Sequence, residues 1–353
     1  MKKLVTIFLV VALAISVGAF AAYQWYSNAI YSENILAEDI SFTVKPGDNL
    51  LTIASQLEQV GIISSEQALR AYVRINNVTA NIKAGQYAIP KGTNVPNIIK
   101  LLEEGTFKVS VGVTIPEGMR YEQIADVLNS KFDSSSETNN FDRTEFLDIC
   151  TNPDKYSFES DVQAILSKYK PTGKPLRGLL FPDTYRFDFD SNAKTVVSAM
   201  IRNLDKRLIE NSITPENLNN NQKNLTSIYD VISLASIIEK EAGNDADRPM
   251  VSGIFHNRLA VNYPLQSDIT IHFIKNDEDT YISFADTKIE SPYNTYLYAG
   301  VTPTPINNPG ISSIKAAMIP LKTENFYFIY DANGTLYYAI TYEQHVANVN
   351  RYL

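Results

Sequence analysis

The sequence contains little that would support metal, nucleotide or nucleic-acid chemistry. Its three histidines, His256, His272 and His345, form no H-E-x-x-H pair or comparable ligand set, and no glycine-rich phosphate loop follows a predicted strand. Acidic residues outnumber basic ones by 39 to 31, and the net charge of −8 argues against binding nucleic acid, whose backbone requires a basic face. The single cysteine, Cys150, fits an exported protein that avoids stray disulfides. We therefore expect no metal, no cofactor and no nucleic-acid partner.

Charge is also missing from the first apolar run, residues 4–22, which follows a pair of lysines. As a helix these residues would rise roughly 28 Å, enough to span a bilayer core. The lysines predict a cytoplasmic N-terminus, and the aromatic residues among 23–26 are typical of the interface on the far side. We predict a single-pass anchor in the cell membrane at residues 1–26, with the bulk of the chain on the extracytoplasmic side. A cleaved signal peptide is the alternative, because residues 19–21 resemble a small-x-small cleavage site.

Three copies of one pattern lie between residues 42 and 128: a strand, a turn that contains proline and glycine, and a helix. In the first copy the turn is Pro46-Gly47. These units resemble LysM modules, which bind glycans that contain N-acetylglucosamine; a common supersecondary unit without a ligand is the alternative. We predict a polar stalk at residues 27–40 and a LysM-like domain at residues 41–108.

The central helix of the chain is predicted at residues 231–242, where apolar residues recur at helical spacing and no glycine or proline intervenes. On a helical wheel Glu241 falls within the apolar arc defined by Leu234, Ile237 and Ile238, whereas Glu239 lies almost opposite, on a more polar side. Apolar surroundings and the negative end of the helix dipole both raise the pKa of a carboxyl such as Glu241. Such an acid can hold a proton near neutral pH and donate it. A surface glutamate at a frayed helix end is the alternative.

Polar and aromatic side chains cluster in a strand before this helix and in the helix and loops that follow it. Aromatic rings beside hydrogen-bonding groups suit a wall that binds sugars, but the same residues suit loop-fixing hydrogen bonds or a core edge. The candidate substrate-binding residues are Asp183, Tyr185, Asn257, Arg258, Gln266, Ser267, Asp268, Thr270, Tyr293, Asn294, Thr295 and Tyr296.

Taken together, six segments resemble the YceG-like family of endolytic murein transglycosylases. They are residues 181–185 (FPDTY), 234–242 (LASIIEKEA), 251–268 (VSGIFHNRLAVNYPLQSD), 293–296 (YNTY), 308–317 (NPGISSIKAA) and 326–328 (FYF). The resemblance implies an α+β chain with a single transmembrane helix, small LysM-like βα units and a mixed α+β catalytic domain at residues 109–353. Residues 131–176 carry no family pattern, and we interpret them as a connector or insertion. In this family the second glutamate of the E-K-E motif, here Glu241, is the catalytic acid.

The resemblance implies a membrane-anchored lytic transglycosylase that cleaves the β-1,4 bond between N-acetylmuramic acid and N-acetylglucosamine. The product would carry a 1,6-anhydro-muramic end, and the reaction would terminate nascent glycan strands. The expected partners are peptidoglycan strands and the membrane, with cell-wall synthases (penicillin-binding proteins) as candidates. Two alternatives stay open. One is a muramidase that uses Glu241 as acid and Asp268 as base; the other is a non-catalytic, anchored glycan-binding scaffold.

Overall fold

The computed structural model describes residues 2–36, 39–45, 47–78, 82, 85–104, 110–133, 140–188, 190–218, 225–277 and 281–353. The chain divides into two compact units, Met1–Ser110 and Val111–Leu353. The predicted boundary between residues 108 and 109 lies outside the described residues. Helices and short two-stranded sheets make up the described parts, a mixed α+β arrangement that begins with one apolar helix.

The N-terminal unit has two antiparallel strands and four helices. In chain order these are α1 (Lys2–Tyr31), β1 (Ile40–Val44), α2 (Leu50–Gln59), α3 (Glu66–Ile75), β2 (Gly85–Ile89) and α4 (Val95–Glu104). Strand β1 pairs with β2 in a register that sets Ile40 opposite Ile89 and Val44 opposite Gly85. Apolar residues of α2, α3 and α4 cover this pair and form a core of their own. The likeness to LysM modules stays a prediction.

Helix α1 is long and apolar enough to cross a membrane over Thr6–Tyr31, 26 residues, by length and composition alone. Its last turn differs from the predicted polar stalk, because α1 continues to Tyr31 and buries Ile30 completely in the core of the N-terminal unit. Asn34 then ties the chain to the turn before α4: its side chain donates to Pro90 O and accepts from Gly92 N, and its amide donates to Thr93 O. Helix α1 therefore enters the N-terminal unit without a break.

The C-terminal unit is built around one buried helix. Its elements are β3 (Ser110–Thr114), α5 (Tyr121–Asp133), α6 (Arg143–Thr151), α7 (Ser160–Tyr169), β4 (Thr184–Asp188), α8 (Ala193–Glu210), α9 (Ile228–Glu241), α10 (Arg248–Ala260), α11 (Asp268–Lys275), α12 (Ile311–Met318), β5 (Tyr327–Tyr330), β6 (Leu336–Ala339) and α13 (Tyr342–Tyr352). Strand β3 pairs with β4, and β5 with β6. Every residue of α9 from Val231 to Ile238 is buried, as in a helix that is enclosed on all sides.

The three predicted strand-turn-helix segments appear as β1–α2, β2–α4 and β3–α5. The glycine of each turn, Gly47, Gly92 and Gly118, has a positive φ of 90°, 73° and 76°, a conformation that residues with a Cβ rarely adopt. The proline of the first turn, Pro46, lies outside the described residues. The recurring sequence pattern thus reflects a repeated local conformation.

Residues 131–176, which we interpreted as a connector, contain α6 and α7 and contribute to the core of the C-terminal unit. Phe146, Ile149 and Cys150 of α6 and Val162 of α7 are fully buried there. The polar loop at residues 134–139 lies outside the described residues. Burial raises the pKa of the Cys150 thiol, so this cysteine serves as an apolar core residue.

Candidate active site

Helix α9 presents Glu241 at its C-terminal end. The helix begins with a capping box, in which Ser227 Oγ accepts from Asp230 N and Asp230 accepts from Ser227 N. The helix ends at Glu241, where Ala242 takes an extended conformation and the amide of Gly243 donates to the hydroxyl of Tyr330. The preceding turns of α9 are buried, and Glu241 is the first acidic side chain of this helix that reaches the surface on this face.

The Glu241 carboxyl is half-buried and has an elevated pKa. Its Oε1 accepts a hydrogen bond of 2.5 Å from Ser267 Oγ, and among the described residues no hydrogen bond reaches Oε2. The pKa of Glu241 is raised to about 7, chiefly by burial and also by the Asp268 carboxylate, against the Ser267 hydrogen bond and the Arg258 charge, which lower it. The shift has the direction that the helical wheel predicted. Burial and the neighbouring Asp268 charge account for the rise, so the helix dipole is not needed to explain it.

Ser267 is held by a small network of buried hydroxyl groups. The amide of Ser267 donates to Thr295 Oγ1 at 3.0 Å, and Thr270 Oγ1 donates to the Ser267 carbonyl at 2.7 Å. The two threonine hydroxyls lie 3.0 Å apart. All three residues are at most 3% exposed. These groups therefore fix the side chain that contacts Glu241 and do not themselves face an open surface.

Glu241 opens onto a cleft of about 490 Å³ that is rich in aromatic residues. Of the residues predicted from the sequence, Arg258, Gln266, Asp268 and Tyr296 join Glu241 in its lining. Asp268 accepts a 2.5 Å hydrogen bond from the Tyr296 hydroxyl. The aromatic and apolar residues of the lining are Phe255, Tyr263, Leu265, Tyr327, Phe328, Ile329, Tyr330, Tyr342 and Leu353, with His345 beside them.

Arg258 is a buried cation that faces this cleft. It is 6% exposed, and its guanidinium donates to the carbonyls of Phe326 at 2.7 Å and Leu265 at 2.5 Å. Its charge also lies over the rings of Tyr263 and Tyr327. Within the described part of the chain no carboxylate forms a salt bridge with Arg258, so its charge is available to an anion that forms in the cleft.

Seven of the candidate substrate-binding residues lie outside the cleft lining and hold the fold together. Asp183 pairs with Arg207 and Asn203, and the Tyr185 hydroxyl donates to Phe181 O. The Asn257 side chain donates to Thr323 O and Asn325 O, and the Asn294 side chain donates to Thr287 O and Ile289 O. The Tyr293 hydroxyl is bonded to the Thr304 hydroxyl, and the hydroxyls of Thr270 and Thr295 are bonded to each other. For these side chains the structure favours the loop-fixing and core-edge alternatives. Ser267 is also absent from the lining and acts through Glu241.

Glu239 corrects one expectation of the helical wheel. We expected it on a more polar side, yet its side chain is 6% exposed. Its Oε1 accepts from Arg248 Nη2 at 2.9 Å, and its Oε2 accepts from the amide of Gly310, just before α12, also at 2.9 Å. Arg248 is bonded in turn to Asp245 and Ser313. Glu239 and Arg248 therefore form a buried ion pair that joins α9 to α10, and the Gly310 bond connects it to the start of α12.

The sequence interpretation missed the cleft wall formed by β5 and α13. The FYF segment at residues 326–328 was noted without a role, and it supplies Tyr327 and Phe328 to the cleft. Alternating aromatic residues in a hairpin are a signal for one lined face, but only the fold shows which cleft that face borders. In the described residues no group of three histidine, cysteine, aspartate or glutamate side chains could hold a metal ion.

Comparisons with known proteins agree with this architecture. Residues 42–351 match the family model described as the YceG-like family. A Bacillus subtilis protein named endolytic murein transglycosylase is 32% identical, over 89% of this chain and 85% of that protein. A Streptococcus pneumoniae protein of the same name is 28% identical over 99% of this chain, which spans 65% of that relative's length. The crystal structure of a yceG-like protein from Listeria monocytogenes is 30% identical and superposes with a TM-score of 0.56 over 88% of this chain and 99% of that one.

Proposed function

This chain belongs to the YceG-like family, and from that membership we propose that it is a peptidoglycan lytic transglycosylase, a lyase that cleaves glycan strands internally. Its relatives of known name are endolytic murein transglycosylases. The observation that carries the proposal is Glu241, a carboxyl with a pKa of about 7 at the wall of an open, aromatic cleft. A carboxyl of that pKa is half protonated at neutral pH and can act first as an acid and then as a base.

In the first step Glu241 donates its proton to the glycosidic oxygen between N-acetylmuramic acid and N-acetylglucosamine. Since Oε1 accepts from Ser267, the proton resides on Oε2, which faces no donor or acceptor of the described chain. The bond from muramic C1 to this oxygen breaks, and N-acetylglucosamine leaves with a hydroxyl. Positive charge develops at C1 as in other glycosidic cleavages. The buried charge of Arg258 stabilises the Glu241 carboxylate that remains.

In the second step the Glu241 carboxylate takes the proton of the muramic C6 hydroxyl. The oxygen attacks C1 and closes the 1,6-anhydro ring, which restores the protonated acid without consuming water. Asp268, exposed at the cleft and oriented by Tyr296, is placed to stabilise the positive charge at C1. One carboxyl is sufficient for both proton transfers because the nucleophile belongs to the substrate.

The product distinguishes this reaction from the alternatives. We expect the full-length protein in detergent to release fragments with 1,6-anhydro ends from purified glycan strands, detected by mass spectrometry. Reducing ends would instead indicate a muramidase in which Asp268 activates water beside Glu241. The absence of any released fragment would indicate a glycan-binding scaffold.

The pH dependence of the reaction is expected to respond to Ser267. Because the Ser267 bond lowers the pKa of Glu241, Ser267→Ala should raise it and shift the alkaline limb of the kcat/KM profile upward by about one pH unit. Ser252→Ala is the matched control, since this equally buried hydroxyl donates to Ala316 O and does not line the cleft. A Ser267→Ala limb that coincides with that of the wild type would contradict the assignment of Glu241 as the titrating acid.

The N-terminal unit supports a proposal on location. Helix α1 would anchor the chain in the cell membrane, with the lysine end in the cytoplasm and both units outside it. The LysM-like domain would bind glycan close to the membrane, where new strands emerge. Termination of nascent strands, and contact with cell-wall synthases, follow from that location as parts of the proposal.

A further inference from the structure

A second, smaller cavity of about 140 Å³ lies beside the catalytic cleft, and we name it the basic side pocket. Its lining includes Arg120, Lys240, Ile269 and His272, and among the described residues no acidic side chain contributes to it. Consecutive residues line the pocket and the cleft: Lys240 precedes Glu241 on α9, and Ile269 follows Asp268 on α11. The charged side chains of this described lining are basic, although the whole chain has a net charge of −8. Such a lining would attract an anion.

Lys240 is positioned in this pocket by Gly118. A Cβ atom at Gly118 would lie 3.0 Å from Lys240 Cε and 3.4 Å from its Nζ, so the lysine chain rests directly on the glycine. Gly118 also has a φ of +76°, which favours glycine at this position. Among the described residues the Lys240 ammonium has no ion pair or hydrogen bond. The pocket therefore holds a cation whose charge this part of the chain does not compensate.

The other polar groups of the pocket are fixed by the fold. Arg120 Nη1 donates to Asn276 Oδ1 at 2.7 Å, which orients its guanidinium. His272 Nδ1 donates to Asp277 O at 3.0 Å, so its Nε2 is the ring nitrogen left for a ligand. Asn307 is 4% exposed and donates to Ser236 O, but its Oδ1 has no hydrogen-bond partner in the described chain. This oxygen is an acceptor, so a ligand would have to reach it with an N–H group and not with a carboxylate.

We propose that the basic side pocket binds a carboxylate of the peptide stem attached to the muramic acid that is cleaved. This inference rests on the proposed function, because it takes its substrate from it. The muramic sugar whose C1 lies at Glu241 carries a lactyl group, to which an acidic peptide is joined by an amide bond. Two or three extended residues reach roughly 7–10 Å, about the width of one helix, and α11 contributes Asp268 to the cleft and Ile269 to the pocket.

The size of the pocket supports this occupant. A volume of about 140 Å³ is well below the roughly 300–1,000 Å³ of cavities that enclose a whole small ligand. It suits a carboxylate with a short carbon chain. Such an anchor would orient the muramic ring so that its C1 faces Glu241, and it would favour strands that still carry their peptides.

The test compares two strand preparations that differ in charge alone: glycan with acidic peptide stems, and the same glycan with the stem carboxyls converted to amides. The full-length protein in detergent should show a kcat/KM about 3- to 10-fold higher on the acidic strands at low salt. The ratio should fall as salt is added. Lys240→Met, which keeps the packing on Gly118 and removes the charge, should bring the ratio close to one. Lys315→Met is the matched control, because this exposed lysine lines neither cavity. The ratio of the two rates in this variant should equal that of the wild type.

Equal wild-type rates on the two preparations would overturn the inference and leave the proposed function intact. The inference would also be overturned if Lys240→Met lowered the rates on the two preparations by the same factor, because the lysine would then act on the fold or on the chemistry. A third preparation, strands freed of peptide, separates the stem from the lactyl group, whose carboxylate it exposes. If these strands match the acidic ones, the carboxylate recognised is not that of the peptide. Failure to cleave any preparation would overturn the proposed function instead.

Discussion

Glu241→Gln is expected to abolish the formation of anhydro ends while the protein remains folded. General acid–base assistance contributes about 10²- to 10⁴-fold in rate, and the upper end is expected here because one group serves both proton transfers. The amide fits the site: its oxygen can still accept from Ser267, and its NH₂ takes the place of Oε2, where the described chain has no donor. Product release from glycan strands, followed by mass spectrometry, measures the loss.

The stability of the same variant should depend on pH. Because the folded-state pKa of about 7 lies above the ordinary value for glutamate, the folded protein holds this proton more tightly than the unfolded chain. That contribution to stability is present below the ordinary pKa and is lost as the pH rises through 7. Glu241→Gln should therefore melt like the wild type near pH 5 and at a higher temperature near pH 8. Glu103→Gln is the control, because it changes an exposed side chain of α4. Its melting temperature should equal that of the wild type at both pH values.

Glu239→Gln is expected to lower the free energy of unfolding by about 3 kcal/mol, in the range for breaking a buried ion pair. Both oxygens of Glu239 accept, one from Arg248 and one from the amide of Gly310. A glutamine at this position must direct its NH₂, itself a donor, toward one of these two donors. The substitution also removes one of the two carboxylates that form salt bridges with Arg248 in the described chain, and the other, Asp245, is exposed. Urea denaturation of the full-length protein measures the change, with Glu103→Gln again as control.

The two variants together separate catalysis from folding. At a temperature where Glu239→Gln is fully folded, its rate per molecule should stay near that of the wild type, whereas Glu241→Gln should be stable and inactive. The reverse pattern, in which Glu239→Gln is stable and inactive and Glu241→Gln is active, would refute the assignment of the acid. A Glu239→Gln protein as stable as the wild type would refute the ion-pair argument alone.

Periodicity in the sequence predicted features that depend on nearby residues. The helix at α9 and the direction of the pKa shift at Glu241 both follow from spacing within a few turns. The pKa also depends on Ser267, Asp268 and Arg258, which approach Glu241 from later parts of the chain.

What the sequence could not supply depends on distant partners. Glu239 is buried because Gly310 approaches it from 71 positions away, and a helical wheel contains no information about such a contact. The cleft wall from β5 to α13 has the same origin. Polar loop residues such as Asn294 and Thr295 were compatible with sugar binding or loop fixing, and only their hydrogen-bond partners distinguish the two.

Helix α1 passes into the N-terminal unit without a break, so in a membrane the helix and the unit would move together. A membrane helix tilts when its apolar length exceeds the thickness of the surrounding bilayer, commonly by about 20°. Ile30 is enclosed in the core of the unit and Asn34 is bonded to the turn before α4, so the end of α1 is fixed within the unit. Any such tilt would rotate the unit by the same angle, and bilayer thickness would then set its orientation relative to the membrane.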